Sequence, residues 1–418
     1  MSEVDVTIDS IAAGGDGVGR ADGVVVFVPR TAPGDRARVT LDGRKRFARG
    51  TLTELLNPSG ERIEPLCYHY RVDRCGGCQL QHMRYDAQLE AKRTIVRDSL
   101  ARIGKREVDR PEIARSPRQW RYRRKLTLAM RRRGGAGSDW VIGLHPLDDP
   151  VGVFQLADCP ITDERVVNIW RDVMEARSLL PEADELRASV RLLDDGAAIV
   201  VEGGNAWPQR SAFFARVESA TALWWRPAHR PRALVAERYG NERRGRGAAA
   251  SASFSQVNPD VARELHGYVV DRVQRRRPRA VIDAYAGTGA TAVLIAERGA
   301  AVVAIEADGD AAARCGSLLP TGSRAVAGRV EDLLAGALPA DVVVLNPPRL
   351  GLHERVSRLL QQASPAPNAL VYVSCDPATL GRDLARMARY RIESLRSFDM
   401  FPQTAHVETV CELVPEDA

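Results

Sequence analysis

From Val257 to the C-terminus, short β-branched runs alternate with helical stretches, and this alternation constrains the fold more than any other feature. Strands are expected at Ala280–Tyr285, Ala301–Glu306, Arg324–Ala327, Asp341–Asn346, Ala369–Cys375, Tyr390–Asp399 and Thr404–Leu413. Helices fill most of the gaps, the pattern of a doubly wound parallel sheet whose ligand crevice lies at the carboxyl ends of the strands.

The first strand passes through Asp283 into Ala284-Tyr285-Ala286-Gly287-Thr288-Gly289, and a helix begins near Ala290. A Gly-x-Gly turn between a buried strand and a helix lets backbone approach a cofactor closely. The next strand ends in Glu306, 17 residues after Gly289, where a carboxylate accepts hydrogen bonds from a ribose diol. Ala292 stands where a dinucleotide fingerprint has its last small residue, so the turn alone leaves a nicotinamide or flavin site open. Asp283, four residues before Gly287, resembles the S-adenosylmethionine turn of class I methyltransferases instead.

Three further features belong to the same carboxyl edge. Leu345-Asn346-Pro347-Pro348-Arg349 puts two prolines directly after a strand, a stiff loop poor in donors. Val371-Tyr372-Val373-Ser374-Cys375-Asp376-Pro377 carries a cysteine just past an apolar strand, and Glu408 interrupts a largely apolar one (Val407, Val410, Leu413). A thiolate nucleophile with a carboxylate base suits methylation of an unreactive pyrimidine carbon. Thiolate addition to C6 of uracil makes C5 enolate-like, C5 takes the methyl from the sulfonium, and a base removes the C5 proton so that the cysteine leaves.

Upstream, residues 1–56 carry short strands (Val4–Ile11, Val24–Val28, Ala37–Leu41, Phe47–Leu56) around a turn-dense Gly14–Gly19 loop, the pattern of a small barrel. Arg44, Lys45, Arg46 and Arg49 cluster in its second half. An amphipathic helix is expected over Asp86–Ile103, and Arg243–Ser255 reads as an interdomain connection. Cys67-x7-Cys75-x2-Cys78 has metal-ligand spacing, Cys159 supplies a fourth thiol, and such a set suits zinc or an iron–sulfur cluster alike. His69 and His82 keep a mixed zinc site open. The stretch Trp120-Arg121-Tyr122-Arg123-Arg124-Lys125, with Arg131–Arg133 beyond it, interleaves rings that stack bases with cations that hold phosphate.

The overall charge says less. Sixty basic side chains against 54 acidic ones give +6, and all but four of the cations (Lys45, Lys92, Lys105, Lys125) are arginine, a bias that arginine-rich codon usage also produces. No run approaches the roughly 18 apolar residues of a membrane span, and the N-terminus has no signal-peptide pattern. A cytoplasmic protein, monomeric and away from membranes, is expected.

Gly287-Thr288-Gly289, Asn-Pro-Pro-Arg at 346–349, Ser-Cys-Asp-Pro at 374–377 and Phe-Pro-Gln-Thr-x-His-x-Glu at 401–408 together resemble the RNA uracil-5-methyltransferase family. Phe254-Ser255-Gln256-Val257-Asn258 resembles the motif that leads into that family's catalytic domain. The resemblance implies a multidomain α/β protein: a TRAM-like (OB-like) RNA-binding barrel at 1–56, a central α+β iron–sulfur domain at 57–253, and a Rossmann-like class I methyltransferase domain at 254–418. By it, Cys375 is the nucleophile and Glu408 the base, while Gln256, Tyr285, Gly287, Gly289, Glu306 and Asn346 hold S-adenosylmethionine. Cys67, Cys75, Cys78 and Cys159 hold a 4Fe–4S cluster, with zinc the alternative, and Trp120, Arg121, Tyr122, Arg123 and Lys125 meet RNA.

The implied product is 5-methyluridine in structured RNA, with 23S rRNA favoured over the tRNA T-loop. The competing readings are cytosine-5 methylation, which usually sets its cysteine in a Pro-Cys context, and a non-catalytic RNA-binding or assembly protein with a degenerate methyltransferase fold. Ala286, Ala290 and Arg329 depart from the family pattern, and Asn346 stands where the family has Asp. An amide there can still accept from uracil N3–H and donate to O4.

Overall fold

The computed structural model describes residues 2–42, 47–134, 139–193, 196–229, 235–237 and 256–416. Arg44, Lys45 and Arg46, the connection at 243–255 and its Phe254-Ser255 lie outside the described residues. The chain forms two compact units, Met1–Ile63 with His82–Pro117 and Asp260–Ala418, and Glu64–Gln81 with Arg118–Pro259. This differs from the expected division at 57 and 254, because the barrel and residues 82–117 pack with the catalytic sheet in one unit.

In the first unit, β1 (Ser2–Ile11), β2 (Gly17–Ala21), β3 (Val24–Val28), β4 (Arg36–Asp42) and β5 (Phe47–Asn57) close a barrel in the order β1-β2-β3-β5-β4. Alternating Val6, Ile8, Val26, Val28 and Val39 fill its interior, and closure leaves no unpaired edge. The glycine-rich run expected as a loop contains β2. A Cβ at Gly19 would stand 2.2 Å from the carbonyl oxygen of Thr7, so this glycine serves close strand packing rather than a turn.

The helix Tyr85–Arg102 follows within one residue of expectation. It buries Leu89, Ile95, Val96 and Leu100, and with them the polar Gln88 and Lys92. A three-residue strand, β6 (Glu112–Ala114), comes next and is too short to leave a periodic signal.

The second unit carries β7 (Lys125–Arg132), β8 (Trp140–Leu144), β9 (Phe154–Gln155), β10 (Glu185–Leu193), β11 (Gly196–Glu202), β12 (Ala222–Arg226) and β13 (Val235–Glu237) in the order β13-β12-β11-β10-β7-β8-β9. Its core joins Leu126, Leu128 and Met130 of β7 with Val190 of β10 and Trp170 of the helix Glu164–Glu175.

The catalytic sheet of the first unit is made by β14 (Ala280–Ala284), β15 (Ala301–Glu306), β16 (Arg324–Ala327), β17 (Val342–Leu345), β18 (Ala369–Ser374), β19 (Tyr390–Phe398) and β20 (Glu408–Pro415), ordered β16-β15-β14-β17-β18-β20-β19-β6. The pairings from β16 through β18 are parallel, and β20 runs antiparallel to both neighbours. This is the Rossmann-like class I methyltransferase fold. The strand order reverses between β14 and β17, which opens the ligand crevice at their carboxyl ends. The last strand starts at Glu408, not Thr404, because Phe401–Val407 turns: the Thr404 hydroxyl donates to Phe401 O at 2.9 Å and Gln403 adopts φ +71°. Among the described residues no helix is long and apolar enough to cross a membrane.

Candidate active site

Strand ends build the site. Ala284 of β14 pairs with Ile305 of β15 and Leu345 of β17, so Tyr285, Glu306 and Asn346 emerge side by side. The turn is left-handed at Tyr285 (φ +66°), Gly287 (φ +56°) and Gly289 (φ +92°). A Cβ on Gly289 would lie 2.8 Å from the Cys315 sulfur, so φ and space both demand glycine. Glu306 braces the turn, its carboxylate accepting from the backbone N–H of Gly287 at 2.9 Å and of Asp308 at 2.8 Å. Beneath it, burial pushes the Asp283 carboxyl up to about 7; the Ala292 N–H opposes this and the Glu306 charge adds to it. Tyr285 is half-buried, and its phenol senses the carboxylates of Glu331 and Asp383.

Cys375 follows the last residue of β18. In the β18–β20 register Ser374 pairs with Thr409, and one step further Cys375 faces Glu408. Asp376 caps the helix Pro377–Ala385 by accepting from the Thr379 N–H at 2.9 Å, and the Ser374 hydroxyl donates to Asp376 O at 2.9 Å. The residue between them is thereby fixed. Burial, then the charge of Glu408, pushes the Cys375 thiol up to about 11, with Arg349 pulling the other way. Burial lifts Glu408 to about 7, again opposed by Arg349. The site therefore sets a neutral thiol beside a carboxyl that titrates near neutrality.

Arg349 was legible only as part of a motif. Its loop is pinned to the Pro377–Ala385 helix: Thr379 donates to Arg349 O at 3.2 Å and Arg382 to Leu350 O at 2.6 Å. Buried Asp383 accepts from the Leu352 N–H at 2.7 Å and from the Tyr372 hydroxyl at 2.8 Å. One helix thus holds both the cysteine and the arginine that faces it.

A tRNA (uracil-5-)-methyltransferase family model matches residues 321–414 and a TRAM domain model matches residues 1–53. The 23S rRNA (uracil(1939)-C(5))-methyltransferase RlmD of Thiobacillus denitrificans is 32% identical over 97% of this chain and 98% of its own length. The chain belongs to the RNA uracil-5-methyltransferase family. It is an enzyme of that S-adenosylmethionine-dependent class. An uncharacterized RNA methyltransferase of Thermosynechococcus vestitus is also 32% identical, over 98% of this chain and 97% of its own. The fold matches the tRNA (uracil-54, C5)-methyltransferase of Pyrococcus abyssi, solved with S-adenosyl-L-homocysteine, with a TM-score of 0.70 over 98% of this chain and 100% of that one, at 23% identity.

Within this family member's second unit, Cys67, Cys75, Cys78 and Cys159 line one cavity of about 70 Å³. All four are buried, and burial together with the other three sulfurs raises the Cys78 thiol far above its usual range. They line the cavity wall; among the described residues no group of three or more Cys, His, Asp or Glu is placed to hold a metal ion. The two histidines have other duties. His69 binds Asp73 through Nδ1 (2.7 Å) and accepts from the Ala157 N–H through Nε2 (2.9 Å). His82 lies in the first unit, where burial and Arg62 push it down to about 4.

The basic-aromatic stretch needs correction. Tyr122 is 1% exposed, inside the core of the second unit, and Trp120 packs against that core, so Tyr122 has no face for a base. Arg121 forks onto Asp158 at 2.8 and 2.9 Å and donates to Cys159 O at 3.1 Å, clamping the loop that carries the fourth cysteine. Arg131 pairs with Glu185 and Arg132 lies over Trp140. Lys125 differs: it is paired across the sheet with Arg191, and burial plus Arg191, Arg187 and Arg123 depress its ammonium. Gln256 belongs to the second unit by its contacts and is half-buried there.

Proposed function

We propose that this enzyme forms 5-methyluridine in large-subunit ribosomal RNA, with Cys375 as nucleophile and Glu408 as base. The observation that carries the reading is the facing of Cys375 and Glu408 across β18 and β20, with Arg349 acting on both. A flipped-out uridine entering there would meet the thiol at C6 and the carboxylate at C5. Arg349 favours the thiolate and later the ionised carboxylate, so both steps draw on one cation. Tyr285, Gly287, Gly289, Glu306 and Asn346 would hold the sulfonium donor, and Glu331, close to Tyr285, adds a carboxylate.

The four cysteines would hold a 4Fe–4S cluster. Four thiolates are the ligand set of such a cluster, and zinc, which draws four sulfurs to about 2.3 Å of a single centre, is the alternative. Iron and sulfide analysis of anaerobically purified protein tests this: about four irons support it, and one zinc contradicts it. Lys125 and Arg187, on neighbouring strands, and Arg123, just before β7, gather like charge, which would suit RNA phosphate.

Ribosomal RNA is favoured because the more similar relative, at 32% identity, is named for 23S rRNA. A tRNA T-loop substrate is the second reading, supported by the likeness over 98% of the chain to a tRNA enzyme. Mass spectrometry of nucleosides from each RNA of a strain lacking the gene separates them. Loss of one 5-methyluridine from large-subunit RNA supports the first, loss from tRNA the second, and unchanged RNA contradicts both.

A further inference from the structure

The helix Tyr85–Arg102 stands more than three hundred residues upstream of Glu408, yet its buried polar face is spent on the loop that leads to it. Tyr85, Gln88 and Lys92 are spaced i, i+3 and i+7, on one helix face. Their partners are Asp399, Phe401 and Gln403, inside the hairpin loop that Phe398 and Glu408 close as a cross-strand pair. Lys92 is fully buried, forms an ion pair with fully buried Asp399, and donates to Phe401 O at 3.0 Å. The other Asp399 oxygen accepts from the Tyr85 hydroxyl at 2.7 Å, and that hydroxyl accepts from the Ser116 N–H at 2.9 Å. Asp399 N–H donates to Ala114 O of β6 at 2.9 Å.

Gln88 forms a reciprocal pair with Gln403. Its amide nitrogen donates to Gln403 Oε1 at 3.0 Å and to Met83 O at 2.9 Å, while its oxygen accepts from the Gln403 N–H at 3.0 Å. Gln403 holds a left-handed φ of +71°, a conformation that persists in a non-glycine residue only where its surroundings impose it. A buried ion pair is seldom a better stabiliser than apolar packing, but it fixes geometry when both partners must meet.

We propose that Gln88 and Lys92 are positioning residues for proton removal: they set the Asp399–Val407 loop so that the Glu408 carboxylate reaches C5 of the methylated adduct. This rests on the reading of Cys375 and Glu408 given above. In the step concerned, Glu408 takes the C5 proton, the C–H electron pair becomes the C5–C6 double bond, and the C6–S pair returns to Cys375 as thiolate. Loosening the loop slows this step and leaves thiol addition and methyl transfer, which start from β18, near their normal rates.

The test uses the full chain, S-adenosylmethionine and an unmodified transcript of the host's large-subunit ribosomal RNA, with the denaturation-stable protein–RNA adduct followed in single turnover. Gln88→Leu and Lys92→Met are each expected to slow adduct release about tenfold and change adduct formation less than about twofold, so the adduct accumulates. Lys92→Arg is expected to restore release in part, and Tyr85→Phe to slow it about threefold. Should Lys92→Met fail to fold, Gln88→Leu and Tyr85→Phe decide. Formation and release slowing together, or neither changing, overturns the proposal. Glu408→Gln separates the two failures. If it traps no adduct, the reading of the base fails; if it traps adduct while folded Gln88→Leu and Lys92→Met release normally, only the positioning role fails.

Discussion

Cysteine occupies two kinds of place in this chain. Cys375 sits alone at the end of a parallel strand, half-exposed, with a carboxyl and a guanidinium as neighbours. Cys67, Cys75, Cys78 and Cys159 are buried in irregular segments of the other unit and have one another for company. In the first place the half-exposed sulfur can give its proton to water, and the Arg349 guanidinium favours the thiolate left behind. In the second the thiols repel as anions and suit only protons or a metal group. The environment, rather than the residue type, divides the proposed nucleophile from the proposed ligands.

Two substitutions sharpen that contrast most strongly. Cys375→Ala is expected to lower methyl transfer by about 10⁴-fold or more while keeping the wild-type metal content and melting temperature. Cys78→Ser is expected to do the reverse in its own unit, with iron lost and thermal stability lowered. Metal lost from the first variant, or full iron kept in the second, would break the distinction.

Next in size is a pH effect. Glu408 must be ionised to accept a proton, so adduct release is expected to rise as pH passes about 7 and then level off. Stability moves oppositely. The folded carboxyl keeps its proton above the unfolded value of 4.5, so stability falls between about 4.5 and 7 as the unfolded chain alone releases it. Glu408→Gln should remove that slope and gain about 3 kcal/mol at pH 8. Denaturant titrations of both proteins at pH 5 and pH 8 check this, and parallel pH profiles would contradict it.

A smaller effect concerns the strip read as an RNA surface. Tyr122→Ala is expected to destabilise the second unit by about 3 kcal/mol without changing the RNA affinity of folded protein. Lys125→Ala is expected to weaken RNA binding and lower its salt slope by about one, with stability little changed. Filter binding at several salt concentrations distinguishes the two.

What the sequence disclosed follows how local each signal is. The catalytic sheet was legible because buried parallel strands are continuous apolar runs and each chemical residue sits at a run's end, as Glu306 and Cys375 do. Within the strip at 120–133, Tyr122 and Arg121 were not legible because composition is silent about partners: Tyr122 looks the same whether it faces a core or a base, and Arg121 is claimed by Asp158, 37 residues away. Gln88 and Lys92 were illegible for the same reason, since a polar residue on a helix reads as solvated until Gln403 and Asp399, more than 300 residues away, are placed against it. In the barrel Gly14 and Gly15 do turn the chain while Gly17 and Gly19 lie in β2, and composition does not separate the two because close strand approach and turning use the same residue.

The central claim is that Cys375 and Glu408 divide one reaction, the thiol opening it and the carboxylate closing it. Incubating Glu408→Gln with S-adenosylmethionine and unmodified large-subunit ribosomal RNA, then digesting and weighing the crosslinked peptide, tests this most directly. The account predicts a stable adduct joining the Cys375 peptide to a methylated uridine, absent when Cys375 is also replaced by Ala. No adduct with soluble, cofactor-binding protein, or an adduct on another residue, would contradict it.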